Sequence, residues 1–132
     1  MSGTKEDHIR YRIKKSKETF DDAVFNADAG KWNTSVNRLY YSSFTLLTAL
    51  LLKNDIIAKS HKGVQIKFHH HFVKTGLMSN EHGKLYSNLL EWRFEEDYSD
   101  FIDFDEKIVG PLIGQVEGFN KKILELLSNH KS

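Results

Sequence analysis

An apolar period of three to four residues runs along the whole chain and limits what the chain can fold into. The segment before Gly30 shows it, with apolar side chains at Ile9, Ile13, Phe20, Val24 and Ala27. Residues at these steps lie on one face of a helix, whereas a half-buried strand alternates apolar and polar residues. No segment of the sequence keeps such an alternation long enough for a strand. The sequence therefore predicts an all-α fold.

The same period, interrupted by glycines and capping residues, divides the chain into about five helices. Gly30 and Gly76 are expected to end helices, and Ser60 and Ser79 to begin them. The predicted helices cover approximately residues 5–29, 32–54, 60–76, 79–98 and 110–127. Because their connections are short, we expect an antiparallel up-and-down helical bundle that forms a single domain over residues 1–132.

The start of the fifth helix is predicted from Pro111, which a helix tolerates in its first turn or at a kink. The regular helix is therefore expected to begin near Gly110. Gly110, Gly114 and Gly118 then share one face, and each costs about 0.5–1 kcal/mol of helix stability relative to alanine. This glycine face either is a tolerated weakness or admits close contact with another helix.

Composition excludes several classes of protein. The chain has no cysteine, which excludes disulfides, thiolate metal sites and cysteine nucleophiles. The longest apolar run, residues 44–52, is too short to span a bilayer, and the charged N-terminal segment lacks the apolar core of a signal peptide. We therefore expect a cytoplasmic protein that does not enter the membrane.

Charge is segregated along the chain although the net charge is only +1. Residues 59–74 contain four lysines, four histidines and no acid. Residues 91–106 contain eight acids and one basic residue, Arg93. These stretches are either solvated helix faces that pair with each other, which we favour, or a basic surface for phosphate beside an acidic one.

Neither a metal site nor a cofactor site is predicted. His69, His70 and His71 are consecutive, so on a helix they point about 100° apart and do not converge on one ion. We expect His71 to border the core and the other two to face solvent. The sequence contains no glycine-rich phosphate loop, no Gly-x-Ser-x-Gly and no nucleotide-binding βαβ pattern.

Polar residues in three of the helices form the candidate ligand site. They are Asn37, Arg38 and Tyr41 in the second helix, Ser60, His61 and Lys62 at the start of the third, and Arg93, Asp97 and Tyr98 in the fourth. Asn37 and Tyr41 are four residues apart and therefore neighbours on a helix, as are the arginine and aspartate of the fourth. The helix N-terminus at Ser60 favours an anion, and Lys62 reinforces it. This set of groups suits a phosphate or a carboxylate.

Four segments of the chain, in this order, carry a resemblance: NRLYYSSF, AKSHKGV, HHFVKTGLMS and WRFEEDYSD. Together they resemble the HEPN domain family (higher eukaryotes and prokaryotes nucleotide-binding), in its small stand-alone prokaryotic form, over about residues 5–127. The resemblance implies an up-and-down bundle that commonly forms a two-fold dimer and is often encoded beside a minimal nucleotidyltransferase. It also implies a metal-independent ribonuclease, frequently a toxin, in which the arginine and histidine of an Arg-x4-6-His motif from two subunits face one cleft.

The chain departs from that motif. Arg93 matches its arginine, but the positions where the family has histidine hold Tyr98, a serine and an acid. Tyrosine, with an unperturbed pKa of about 10, is poorly suited to proton transfer near pH 7. The acids around Arg93 would also repel a phosphodiester. The motif is therefore degenerate, and catalysis would require Arg93 with Tyr98, or with His61 if the fold brings His61 to Arg93.

Three functions are consistent with these residues. We favour a nucleotide- or RNA-associated HEPN module with a degenerate ribonuclease motif, paired with a minimal nucleotidyltransferase in a toxin–antitoxin-type system. A second is an active metal-independent endoribonuclease toxin that uses Arg93 with His61 or Tyr98. A third is a non-catalytic dimeric interaction domain, in which the polar residues form an internal network that orients the helices. None of the three implies a cofactor.

Overall fold

The structure is a computed structural model, and it describes residues 3–98 and 103–128, with the side chains of residues 94–98 outside the description. It contains five α-helices: α1 (Lys5–Asp28), α2 (Trp32–Lys53), α3 (His61–Phe68), α4 (Asn80–Tyr98) and α5 (Glu106–Ser128). There is no strand within the described ranges. The predicted all-α bundle of five helices is therefore confirmed.

Most helix ends lie where the sequence places them, because local hydrogen bonds fix them. Thr4 caps α1 by accepting from the backbone N–H of Asp7, whose carboxylate accepts from the N–H of Thr4 in return. Ser60 caps α3, since its hydroxyl oxygen accepts from the N–H of Gly63 at 2.9 Å. Gly30 follows α1 with a φ of 76°, a left-handed conformation that costs glycine little.

The central element of the bundle is α2, against which each of the other four helices packs. A helix in this position is apolar around most of its circumference. Its fully buried leucines are Leu39, Leu46, Leu47 and Leu50, and each contributes about 1.5–3 kcal/mol by leaving water. Even so, neither α2 nor any other helix in the described ranges is long and apolar enough to cross a membrane.

A small polar network lies inside this apolar core and joins α1, α2 and α5. The Ser16 hydroxyl donates to the backbone carbonyl of Ser42 at 2.8 Å. Asn120 on α5 accepts from the Ser43 hydroxyl and donates to the Ser42 hydroxyl oxygen, both at 2.8 Å. All four residues are buried. Because buried polar groups are costly without partners, this network favours one arrangement of the three helices.

The predicted start of α5 near Gly110 is wrong, since the helix begins at Glu106. Asp105 caps it, with its carboxylate accepting from the N–H of Ile108 at 3.2 Å. Pro111 therefore lies inside the helix, where its ring nitrogen cannot donate to the carbonyl of Lys107. Lys107 is exposed, so water can solvate that carbonyl.

The glycine face of α5 does not contact another helix of the described chain. A methyl group added at Gly110, Gly114 or Gly118 would meet no atom within 4 Å. All three glycines are exposed. Within the described residues this face therefore makes no close contact with another helix. The other interpretation holds, in which the glycines are a tolerated local weakness of the helix.

A π-helical segment, His69–Val73, continues α3 and was not predicted. Its defining hydrogen bond runs from the N–H of Lys74 to the carbonyl of His69 at 2.8 Å, five residues back. His70 is exposed and His71 half-buried, as expected. The expectation that His69 faces solvent is wrong, because its ring packs against α4, where a Cβ on Gly83 would come within 2.9 Å of the imidazole.

Substitution of Asn120 tests how much the buried network contributes to the stability of the bundle. Asn120→Ala removes both side-chain hydrogen bonds and leaves the Ser43 hydroxyl without its acceptor, so we expect the free energy of unfolding to fall by about 2–4 kcal/mol. Urea unfolding followed by circular dichroism measures it. Asn88→Ala makes the same change at an exposed position of α4 and should alter stability by about 0.5 kcal/mol or less. Equal effects of the two variants would contradict a specific role for the network.

Candidate functional site

Arg93 of α4 lies against two tyrosines of α2. Its Nε donates a hydrogen bond to the Tyr41 hydroxyl at 2.7 Å. Its guanidinium carbon lies 5.6 Å from the centre of the Tyr41 ring and 5.9 Å from that of Tyr40. These distances are within the range of cation–π attraction. The arginine is therefore held by the aromatic surface of α2.

The first residue of α3, His61, contacts the same two tyrosines. Its Nδ1 lies 2.6 Å from the hydroxyl of Tyr40. Its ring stacks on Phe44, with centroids 4.3 Å apart, and meets Tyr41 edge to face at 5.8 Å. The fold thus brings His61 and Arg93 to the same pair of tyrosines, although they belong to different helices.

A second arginine lies on the same aromatic surface. The guanidinium carbon of Arg38 is 5.3 Å from the centre of the Tyr41 ring. Its Nε and one terminal nitrogen donate to the side-chain oxygen of Asn37, at 3.3 and 2.8 Å. We call Arg38, Tyr40, Tyr41, His61 and Arg93 the arginine–tyrosine cluster. It concentrates two permanent positive charges beside flat aromatic faces.

Burial sets the protonation states of Tyr40 and His61. It raises the pKa of Tyr40 to about 12, so this tyrosine stays protonated. Burial, followed by the positive charge of Arg93, lowers the pKa of His61 from its usual value. His61 is therefore neutral at pH 7, and its contact with Tyr40 is a hydrogen bond between two uncharged groups.

The tautomer of His61 decides what this histidine presents to a ligand. The Tyr86 hydroxyl, buried in the core, donates to the oxygen of Tyr40 at 3.5 Å. The Tyr40 hydroxyl can still either donate to Nδ1 of His61 or accept from it, because such an oxygen has one proton and two lone pairs. In the first case Nε2 carries the proton and can donate to a ligand. In the second case Nε2 has a free lone pair and can accept a proton.

Ser60 and Lys62, two further predicted site residues, lie outside the cluster. Ser60 is exposed and its hydroxyl is used in capping α3. Lys62 is also exposed and lines a neighbouring groove. The side chains of Asp97 and Tyr98 lie outside the described residues. Tyr40 was not among the predicted site residues, although a tyrosine on the core side of a helix requires a polar partner for its hydroxyl.

Comparison with known proteins agrees with this arrangement of helices. A protein-family model described as "HEPN domain" matches residues 9–127. The chain belongs to the HEPN family. The resemblance expected from the sequence is thereby confirmed.

Three relatives of this HEPN protein come from three different organisms. A UPF0332 protein of Thermotoga maritima is 35% identical over 127 residues, which cover 96% of each chain. A UPF0332 protein of Pyrococcus horikoshii is 33% identical over 59% of this chain and 55% of its own. A Methanocaldococcus jannaschii protein with the name "Putative toxin" is 27% identical over 72% of this chain and 65% of its own.

The charge coupling inside the cluster is open to direct measurement. Arg93→Gln removes a positive charge beside His61, so we expect the pKa of His61 to rise towards its usual value. Histidine ring signals in an NMR pH titration report it. His69 serves as the internal control, because burial and Lys62 are what lower its pKa. Arg93→Gln should leave the pKa of His69 unchanged, and Lys62→Gln should raise the pKa of His69. An unchanged pKa of His61 in Arg93→Gln would contradict the contact geometry of the cluster.

Proposed function

We propose that this HEPN protein is a nucleotide- or RNA-associated module of a toxin–antitoxin-type pair. In this proposal it forms a homodimer in the cytoplasm, works beside a minimal nucleotidyltransferase, and has little ribonuclease activity of its own. Two Methanocaldococcus jannaschii relatives that carry the name "Putative toxin" support the toxin context. The dimer and the nucleotidyltransferase partner rest on the family resemblance.

The arginine–tyrosine cluster is the observation that carries the binding function. Arginine binds phosphate with geometry that lysine cannot reproduce, and it does so more strongly where water is partly excluded. Arg38 and Arg93 are both half-buried against Tyr41. Aromatic faces next to such cations are the usual platform for a nucleobase. A phosphate and its adjoining base would therefore find complementary groups side by side.

Weak catalysis follows from the same geometry. Metal-free cleavage of RNA needs a group that accepts and then returns a proton near pH 7. The motif position that holds histidine in the family is Tyr98 here, and Nδ1 of His61 is engaged by Tyr40. The cluster supplies cations to hold a phosphodiester, whereas burial and the charge of Arg93 lower the pKa of its histidine and so make it a weaker base.

A second candidate, a ribonuclease whose base has moved to His61, has one observation in its favour. His61 and Arg93 contact the same pair of tyrosines, and the charge of Arg93 acts on His61. With its proton on Nδ1, His61 could serve as the base through Nε2. The third candidate, a purely structural network, is supported by the Arg93–Tyr41 hydrogen bond between α4 and α2.

Binding of a mononucleotide distinguishes the proposed module from the structural network. We expect Arg93→Ala to weaken binding of fluorescently labelled AMP by about 10- to 100-fold, because a hydrogen bond to a charged group contributes about 1.5–3 kcal/mol. Arg10→Ala on α1, where Arg10 pairs with Asp7, is the matched control and should bind as the parent does. Unchanged affinity in Arg93→Ala, or unfolding of this variant alone, would favour the structural network.

Incubation with RNA in EDTA-containing buffer distinguishes the module from the ribonuclease. We expect the parent protein to leave a structured RNA intact, since the motif position that holds histidine in the family is Tyr98 here. Tyr98→His restores the family motif and is the variant in which cleavage should appear. Robust cleavage by the parent that disappears in Arg93→Ala would instead establish the relocated-base ribonuclease.

A further inference from the structure

We propose that a groove beside the arginine–tyrosine cluster binds the phosphate backbone of a single-stranded RNA whose first nucleotide occupies the cluster. The groove, of about 540 Å³, lies between α3, the π-helical segment and α4, and is called the α3 groove here. Among the residues that line it are Lys62, Gln65, Ile66, His69, Lys74 and Ser87. The inference rests on the proposed function and extends its ligand from one nucleotide to a strand.

The first support is positive charge that has no salt-bridge partner among the described side chains. Residues 59–74 contain four lysines and no acid. The salt bridges of the described residues lie within α1, within α5, and between Lys5 and Asp55, so none involves these four lysines. Of the eight acids in residues 91–106, the side chains of Glu91, Asp103, Asp105 and Glu106 are described, and none of these forms a salt bridge with the basic stretch; the other four lie outside the described side chains. Lys62 and Lys74 both line the groove, and positive charge of this kind attracts polyanions.

The second support is a floor of polar side chains that are already held in place. Gln65 donates from Nε2 to the Ser87 hydroxyl oxygen at 2.8 Å, and Nε2 of His69 lies 3.2 Å from the same oxygen. The absence of a side chain at Gly83 is what allows the His69 ring to lie against α4. These mutual hydrogen bonds fix the three side chains, so the floor of the groove is polar and ordered before a ligand binds.

The third support is the π-helical segment that forms one wall of the groove. Such segments occur frequently at functional sites. This one separates His69 from Lys74, which both line the groove. The irregular turn therefore lies where the proposed ligand would pass.

The dimensions fit a strand better than a single nucleotide. Lys62 directly follows His61 of the cluster, and Lys74 lies at the far end of the groove. The two lysines are twelve positions apart along a helix, which corresponds to about 18 Å. Phosphates follow each other at about 3.4 Å of rise in a stacked strand, so several would pass between them. Ile66, whose side chain is 54% exposed in the groove, offers an apolar surface for a base or ribose, which an acidic peptide would not require.

The experiment compares a strand with a mononucleotide on the full chain. A fluorescently labelled single-stranded oligouridine of about twelve nucleotides and labelled AMP are titrated with the parent and with Lys74→Glu. We expect Lys74→Glu to weaken RNA binding about tenfold while AMP binding stays within about twofold. The slope of log affinity against log salt should become shallower by about 0.7 for each phosphate that the variant no longer neutralises. Lys121→Glu on α5 changes the net charge equally at an exposed site outside the groove and should bind RNA as the parent does.

Each other outcome overturns the inference in a recognisable way. Equal reductions of RNA affinity in Lys74→Glu and Lys121→Glu would show that only net charge matters. Polyglutamate that competes as well as RNA would assign the groove to an acidic protein. If AMP binding depends on Arg93 but RNA binds no more tightly than AMP, the α3 groove does not bind RNA. The proposed function would still hold in that case. If Arg93→Ala binds AMP with the same affinity as the parent, the proposed function itself is wrong.

Discussion

Helix α2 is enclosed by the four other helices, so each polar group that it carries into the bundle must find a partner on a neighbour. Two of its serines find theirs on α1 and α5, Tyr40 finds His61 on α3, and Tyr41 finds Arg93 on α4. The candidate site lies where one of these polar groups is near the surface. Tyr41 is only half-buried and presents its ring to two arginines. A cation held in this way loses little side-chain freedom when an anion binds, which favours binding of a phosphate.

Much of the fold could be predicted because its determinants are local. The apolar period gives the helices, and Gly30, Ser60 and Gly76 mark ends at which the backbone conformation or the cap demands those residues. The predicted start of α5 is misplaced because it gives Pro111 more weight than Asp105, whose capping carboxylate fixes the helix one turn earlier. The π-helical segment has no local pattern in its sequence and depends on how its first histidine meets α4.

The site was only partly predictable because its decisive contacts join distant parts of the chain. The residue types of Asn37, Arg38, Tyr41, His61 and Arg93 indicated an anion site, but not which of them would touch. The hydrogen bond between Tyr40 and His61 spans 21 residues, and that between Tyr41 and Arg93 spans 52. Sequence periodicity carries no information about such pairs, whereas the packing of α3 and α4 on α2 determines them.

The π-helical segment also changes the phase of the helix that contains it. A π turn accommodates one residue more than an α turn, so side chains after it are rotated by about 100° relative to an uninterrupted α-helix. The segment begins with three histidines, which lie between the buried rings of Phe68 and Phe72. Deletion of His70 or His71 would let the segment close as an α turn, with Lys74 four positions from His69 and still on its face. A one-residue length difference between family members at this point would therefore be absorbed by the π turn, and the side chains beyond it would keep their phase.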